Sequence, residues 1–279
     1  MNDLETLQYL FDVQGYLVLE NVLDAEQVAA LNHLLDAHLP PAKGNRFGSA
    51  PAGSGFLDWG QPFIDLLDHP QIMPVLRFRL GDCFRLDRIY GLCLRHGMAR
   101  GVLHSDYGAT APTSGAQPGQ YHPLRDNQIL NGFVVATWNL TDAGPDYGGF
   151  CCIPGSHKSN FILPQSIADA PEQAPCVIIP SAPAGSVTLF TEALTHGTAA
   201  WHGHHQRRAL LYKYCVSQMA WTNRRVQPPA DLRLSSGVRR AQPSCRSLTR
   251  RQQILFGEPA DPHRFFPSLF EGVDEVTSS

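Results

Sequence analysis

Apolar residues in the first eighty positions recur at helical spacing. Leu4, Leu7, Leu10 and Phe11 predict an amphipathic helix. GYLVLENVL, from Gly15, reads as a short strand. Asp24 then stands at a helix N-cap with Gln27 three residues on, the capping-box pattern. Val28, Leu31, Leu34 and Leu35 give that second helix its apolar stripe, and Pro40 and Pro41 stop it. Residues 40–55, rich in Pro, Gly, Ser and Ala, read as a loop. Phe63, Ile64, Leu66 and Leu67, then Val75 and Leu76, predict short helices within 61–80.

From Phe84 the spacing changes. Leu86, Ile89, Leu92 and Leu94 sit in an extended run, and further strands are predicted at 130–139, 149–153, 175–179, 186–190 and 207–217. PDYGG, PGSH, PSAPAGS and HGTAAWHGHH separate them as turns. Many short strands with Gly/Pro turns and no intervening helices predict an all-β jelly roll or barrel. The expected organisation is one domain over 1–279: a helical part to about 80, a β core over about 84–217 and an extension over 218–279. Residues 108–127 form a long polar insertion, of the kind that serves as a lid or stays disordered. Residues 222–251 carry eight arginines and one acid, Asp231, and read as a solvated basic tail.

Composition narrows the function classes. A net charge of −3 gives no footprint for nucleic acid. The apolar runs, such as FVVATW at 133–138, fall far short of a membrane span of about 20 residues. The opening MNDLETLQYLF lacks a basic-then-apolar leader, so a cytoplasmic location is expected. Seven cysteines without a CxxC pair read as reduced thiols, and Cys151 and Cys152, adjacent on a strand, should face opposite sides.

Candidate chemistry lies in two segments, LHSDYG and LTHGTAAWHGHHQRRALLYKY. His104 and Asp106 are two apart, so on a strand both project from one face and can reach one metal. His196 can supply a third ligand. Two imidazoles and one carboxylate with open positions suit Fe(II), although imidazole also suits Zn, Cu and Ni. An HxD pair alone arises often by chance. Arg207 adds weight, because an arginine entering a barrel beside a metal needs an anion, and a guanidinium grips a carboxylate with two hydrogen bonds. Arg208 should face the other side, exposed or paired there.

LHSD at 103–106, VVATWNLTD…GGFCCIPGSHK within 134–158, HGT at 196–198, RRAL at 207–210 and GYLVLENVLDAEQVAAL at 15–31 together resemble the phytanoyl-CoA dioxygenase family of Fe(II)/2-oxoglutarate-dependent oxygenases. The resemblance runs from about residue 8 to 217. It implies a mainly β fold, a double-stranded β-helix (cupin-like jelly roll) with flanking N-terminal helices. It implies Fe(II) on His104, Asp106 and His196, 2-oxoglutarate on Arg207 and Thr198, and Trp138 lining the co-substrate pocket. Members of the family use O2, decarboxylate 2-oxoglutarate to succinate and take a hydrogen atom from a substrate C–H bond. Halogenating relatives replace the carboxylate ligand with a small residue. Asp106 therefore favours hydroxylation, or another oxidative outcome, over halogenation.

Other polar residues read as bystanders. His202, His204 and His205 sit in a turn and are expected to face water, His157 is a turn residue, and Trp201 and Trp221 are packing residues. Asp87 and Arg88 are expected to pair with neighbours. Tyr121, His122, Arg125 and Asn131 fall near where a lid would close. The expected partner is a small organic molecule, with a specialised metabolite ahead of an acyl-CoA. Neither nucleic acid nor membrane is expected as a partner, and the chain is expected to be a monomer or homodimer. A cupin-like zinc hydrolase or isomerase stays open as an alternative, although it leaves Arg207 without a role. A scaffold without activity would not need the complete ligand set.

Overall fold

A computed structural model describes residues 3–39, 45–50, 53–106, 124–125, 128–129, 132–221, 224–233, 248–260 and 265–272. The chain opens with helix α1 (Leu4–Gln14), whose cap Asp3 accepts from the Thr6 N–H at 2.9 Å. Gly15, at φ 81°, ends it. Strand β1 (Tyr16–Leu19) leads to α2 (Ala25–His38). The capping box forms there: the Gln27 N–H donates to Asp24 at 2.8 Å and the Asp24 N–H donates to Gln27 at 2.9 Å. Short helices α3 (Gln61–Asp65) and α4 (Met73–Leu80) come next.

The β core contains β2 (Arg46–Ala50), β3 (Phe84–Leu94), the short pair β4 (Leu124–Arg125) and β5 (Gln128–Ile129), β6 (Phe133–Asn139), β7 (Gly149–Cys152), β8 (Val187–Thr191), β9 (His196–Ala199) and β10 (Arg207–Val216). Six of the ten strands among the described residues form one antiparallel sheet in the order β1-β8-β6-β10-β3-β2. A smaller sheet pairs β7 with β9 and is extended by bridges from His104 to His196 and from Cys152 to Ile178. The predicted strand at 175–179 is thus reduced to that single bridge.

One face of the large sheet meets the helices. Val134, Ala136 and Trp138 of β6 and Leu210, Tyr212 and Tyr214 of β10 join Phe11, Leu31, Leu35, Phe63 and Leu76 in the main core. Fully burying a Val, Leu or Phe of this set stabilises by about 1.5–3 kcal/mol. The two phenols anchor β10 to the α3 region: Tyr212 donates to the Phe63 carbonyl at 2.6 Å and Tyr214 to the Leu67 carbonyl at 2.7 Å. The opposite face of β10 looks into the barrel, which sets up the site.

Two expectations fail. Residues 46–50, read as loop, form edge strand β2, pairing Arg46 with Leu92 and Phe47 with Gly91. Ladder bonds and one aromatic outweigh the poor strand propensity of Gly and Ser: a Cβ at Gly91 would lie 2.0 Å from the Phe47 ring, so the glycine makes room for it. Within 222–251, read as a solvated basic tail, the described residues are not all solvated, and the same holds further along the extension. Val226, Leu232, Leu255, Phe256 and Leu269 are buried. The helix Arg250–Leu255, with its own capping box at Thr249 and Gln252, docks through Gln252 onto Asp68 at 2.8 Å. Among the described residues, no helix is long and apolar enough to cross a membrane. The six cysteines described are free. Cys151 and Cys152 do face opposite sides of β7, Cys151 toward a small side cavity and Cys152 into a core cluster.

His157 is buried at the α1–β1 corner, where its Nε2 lies 3.0 Å from the Asp12 carbonyl. A carbonyl only accepts, so Nε2 carries the proton. Nδ1 has no partner and faces Gly15. Burial pushes the pKa down to about 4. A depressed histidine pKa makes folding favourable above the unfolded value, and that stability is lost as pH falls from about 6.5 toward 4. Urea unfolding between pH 7 and 4.5 should show the wild type losing about 2 kcal/mol more than His157→Gln. Parallel profiles would contradict this role.

Candidate active site

His104 lies just before the insertion, and His196 opens β9. Their backbones form one antiparallel bridge, with N–H to carbonyl distances of 2.9 and 2.8 Å in the two directions. The rings are therefore neighbours across this bridge, 4.6 Å apart at their centroids. Each ring is oriented by a backbone carbonyl two residues upstream: His104 Nδ1 is 2.9 Å from Val102 and His196 Nδ1 is 2.8 Å from Leu194. These carbonyls hold the proton on Nδ1 and leave the Nε2 lone pair free for a metal. Asp106 completes the group, with Oδ1 3.6 Å from His104 Nε2 and Oδ2 3.9 Å from His196 Nε2. The three ligand atoms lie within 4.8 Å of one another. Phe190 and Phe150 flank the His196 ring.

A cavity of about 470 Å³ joins this group to the inner face of β10. Arg207, Leu211 and Lys213 line it from β10, Tyr90 and Leu92 from β3, Thr137 from β6 and Thr198 from β9. Arg207 is 2% exposed, and its Nε and Nη1 have no hydrogen-bond partner. Burial lowers its pKa to about 10, with Cys151 and Tyr90 opposing, so it stays charged at neutral pH. Gly149, at φ 112°, makes space for it: a Cβ there would sit 3.1 Å from Arg207 Nε. A buried cation with free donors is costly unless an anion fills the space beside it. Arg208 points the other way and pairs with Asp36 at 2.6 Å and Asn32 at 3.1 Å.

Beyond Asp106 lies a charge cluster that sequence reasoning missed. Lys213 Nζ is 3.2 Å from Asp106 Oδ2 and is gripped by the Glu192 carboxylate. Burial opposes the charge on Asp106, but Lys213 and the two imidazoles outweigh it and hold the carboxyl down at about 2. Burial, then the neighbouring His104, pushes His196 down to about 4. Burial likewise opposes the charge on Lys213, yet Glu192, Tyr90 and Asp106 raise its pKa. A lysine on the arginine-bearing face of RRALLYKYC, and a glutamate inside the apolar run FTEALTHG, were the available signals.

The structure brings His104, Asp106, His196, Thr198 and Arg207 to one cavity. Trp138 does not line it. Leu210 pairs with Trp138 and Leu211 with Thr137, so Thr137 faces the cavity while Trp138 is buried on the helix side, edge-on to His69. The turn histidines keep away from the ligand group: His204 stacks on His96, and His205 Nε2 meets the Asp142 carbonyl at 2.9 Å. Asp87 pairs with Arg85 at 3.0 Å, and Arg88 lies over Trp221. Trp201 is buried, its indole donating to the His205 carbonyl at 2.8 Å. Tyr121, His122, Asn131 and most of the 108–127 insertion lie outside the described residues, as does the side chain of Arg125.

A jelly roll that converges two histidines and a carboxylate beside a buried, unpartnered arginine defines the class of Fe(II)/2-oxoglutarate-dependent oxygenases. The chain belongs to the phytanoyl-CoA dioxygenase family: the sequence model of that family (PhyH) matches residues 11–209. Solved structures share the fold. HygX from Streptomyces hygroscopicus, with nickel and 2-oxoglutarate bound, is 23% identical with a TM-score of 0.64, over 77% of this chain and 88% of that chain. HygX is also solved with hygromycin B bound, at 24% identity and a TM-score of 0.63. EctD from S. alaskensis, with bound Fe, is 21% identical with a TM-score of 0.57, over 80% of this chain and 79% of that chain.

Proposed function

We propose that this oxygenase oxidises a C–H bond of a small organic molecule, hydroxylation being the outcome, with release of succinate and CO2. His104, Asp106 and His196 would hold Fe(II), and Arg207 with Thr198 would hold the distal carboxylate of 2-oxoglutarate. The observation that carries this reading is Arg207, buried and charged with two unpartnered nitrogens in the cavity that the three ligands share. Iron, when bound, supplies O2 activation and the oxidising power. The chain's own residues bind, orient and shield. The carbonyls of Val102 and Leu194 fix the imidazoles, the Arg207 fork sets the co-substrate's direction, and Leu211, Phe150 and Phe190 keep water away.

The cavity volume falls in the range of small-molecule sites. The hygromycin B complex of the fold relative HygX supports a specialised metabolite as the substrate class. A zinc hydrolase could use the same three ligands, but it would leave the Arg207 donors without an anion. The test is anaerobic titration with Fe(II) and then 2-oxoglutarate, with O2 added last. A visible charge-transfer band and O2-dependent succinate are expected. The absence of both, across a broad substrate panel, would sink the reading.

A further inference from the structure

Resting on the metal site proposed above, we propose that Lys213 and Glu192 are positioning residues that hold the Asp106 carboxylate in the orientation a metal needs. Asp106 is tethered twice, and both tethers lead to Glu192. Its backbone N–H donates to the Glu192 carbonyl at 2.9 Å. Its Oδ2 meets Lys213 Nζ at 3.2 Å, and that ammonium is in turn gripped by the Glu192 side chain. Glu192 sits in the turn between β8 and β9, four residues before His196, so one turn serves two of the three ligands.

The energetics argue for a task beyond stability. Glu192 is 1% exposed and Lys213 5%. A buried ion pair is a poor way to stabilise a core, since apolar side chains of the same volume do as well or better. Arg88, opposite Lys213 in the β3–β10 register, adds a second cation. The cluster joins Asp106 to Glu192 through Lys213. What it achieves is geometric: Lys213 occupies Oδ2 and leaves Oδ1, on the His104 side, as the free oxygen. Asp106 then offers a metal one oxygen and keeps a further position open for ligands.

Two effects of Lys213 oppose each other. An ammonium beside a metal site repels a dication, whereas a fixed carboxylate binds it better. Glu192 neutralises much of the ammonium, so positioning wins, and this sets the sign of the test. Full-length wild type, Lys213→Met, Lys213→Arg and Glu192→Gln would be titrated anaerobically with Co(II), monitored by its visible absorption, with melting curves as a check on folding. Lys213→Met should bind Co(II) about 10- to 100-fold more weakly, with an altered spectrum, as loss of an outer-shell partner does. Glu192→Gln should move the same way, and Lys213→Arg should recover most of the loss.

A folded Lys213→Met that binds as tightly as wild type or tighter, with an unchanged spectrum, overturns the positioning role. If Lys213→Met does not fold, the near-isosteric Glu192→Gln is judged by the same criterion. Wild type that binds no Co(II) overturns the metal-site reading itself and the positioning role with it. Wild type that binds while the variants match it overturns only the positioning role.

Discussion

Arg207→Ala should lower the affinity for 2-oxoglutarate about 100-fold or more, because two charge-assisted hydrogen bonds to a buried anion are lost together. Fe(II) binding should change by less than about threefold, since Arg207 is no part of the ligand group and does not orient either histidine. The separation of the two effects is the point of the experiment. Arg207→Lys should fall between, keeping the charge but losing the planar fork. Calorimetry with 2-oxoglutarate and iron retention after gel filtration read the two sides independently. Equal loss of both would mean that Arg207 holds up the fold and does not grip the co-substrate.

Asp106→Asn should reduce Fe(II) affinity by more than about 100-fold, because outer-shell partners alone are worth about 10- to 100-fold and this change removes the only charged ligand. The amide keeps the carboxylate's shape, so the loss reports charge and ligation and not a cavity. Lys213 retains Glu192 as its partner, and the inner face of β10 should stay intact. Substrate-independent succinate formation should drop to background in parallel with the metal. Wild-type iron content in the variant would show that Asp106 is not a ligand.

Much of this arrangement could be read from the residues because it depends on simple periodicities. Arg207 opens a run whose alternate residues, Ala209, Leu211 and Lys213, inherit its direction, whereas His104 and Asp106 converge without the expected strand, from a single bridge followed by a bend. Trp138 failed for a physical reason. All seven residues of β6 are buried, since helices cover one face and the barrel interior lies against the other. Without a wet side there is no polar alternation to tell the faces apart, and an aromatic near the motif looked like pocket lining. β2 was hidden by Gly48 and Ser49, whose place in the sheet is decided by pairing with β3 and not by propensity. In the extension, scattered apolar residues such as Val226, Leu255 and Leu269 were masked by the arginines between them, yet they pack on the core.

The backbone bridge between His104 and His196 has a consequence for how such a protein diversifies. The spacing of the two imidazoles is set by a single antiparallel bridge, and Asp106 is tied to Glu192 and Lys213. The candidate ligands are therefore held by the backbone bridge and by Glu192 and Lys213, all of them within the described residues. A segment exchanged after Asp106 would leave these tethers in place, so new specificity would come from the replaced segment while the candidate metal site is inherited. A chimera carrying a foreign loop from residue 108 onward would make this modularity an engineering handle.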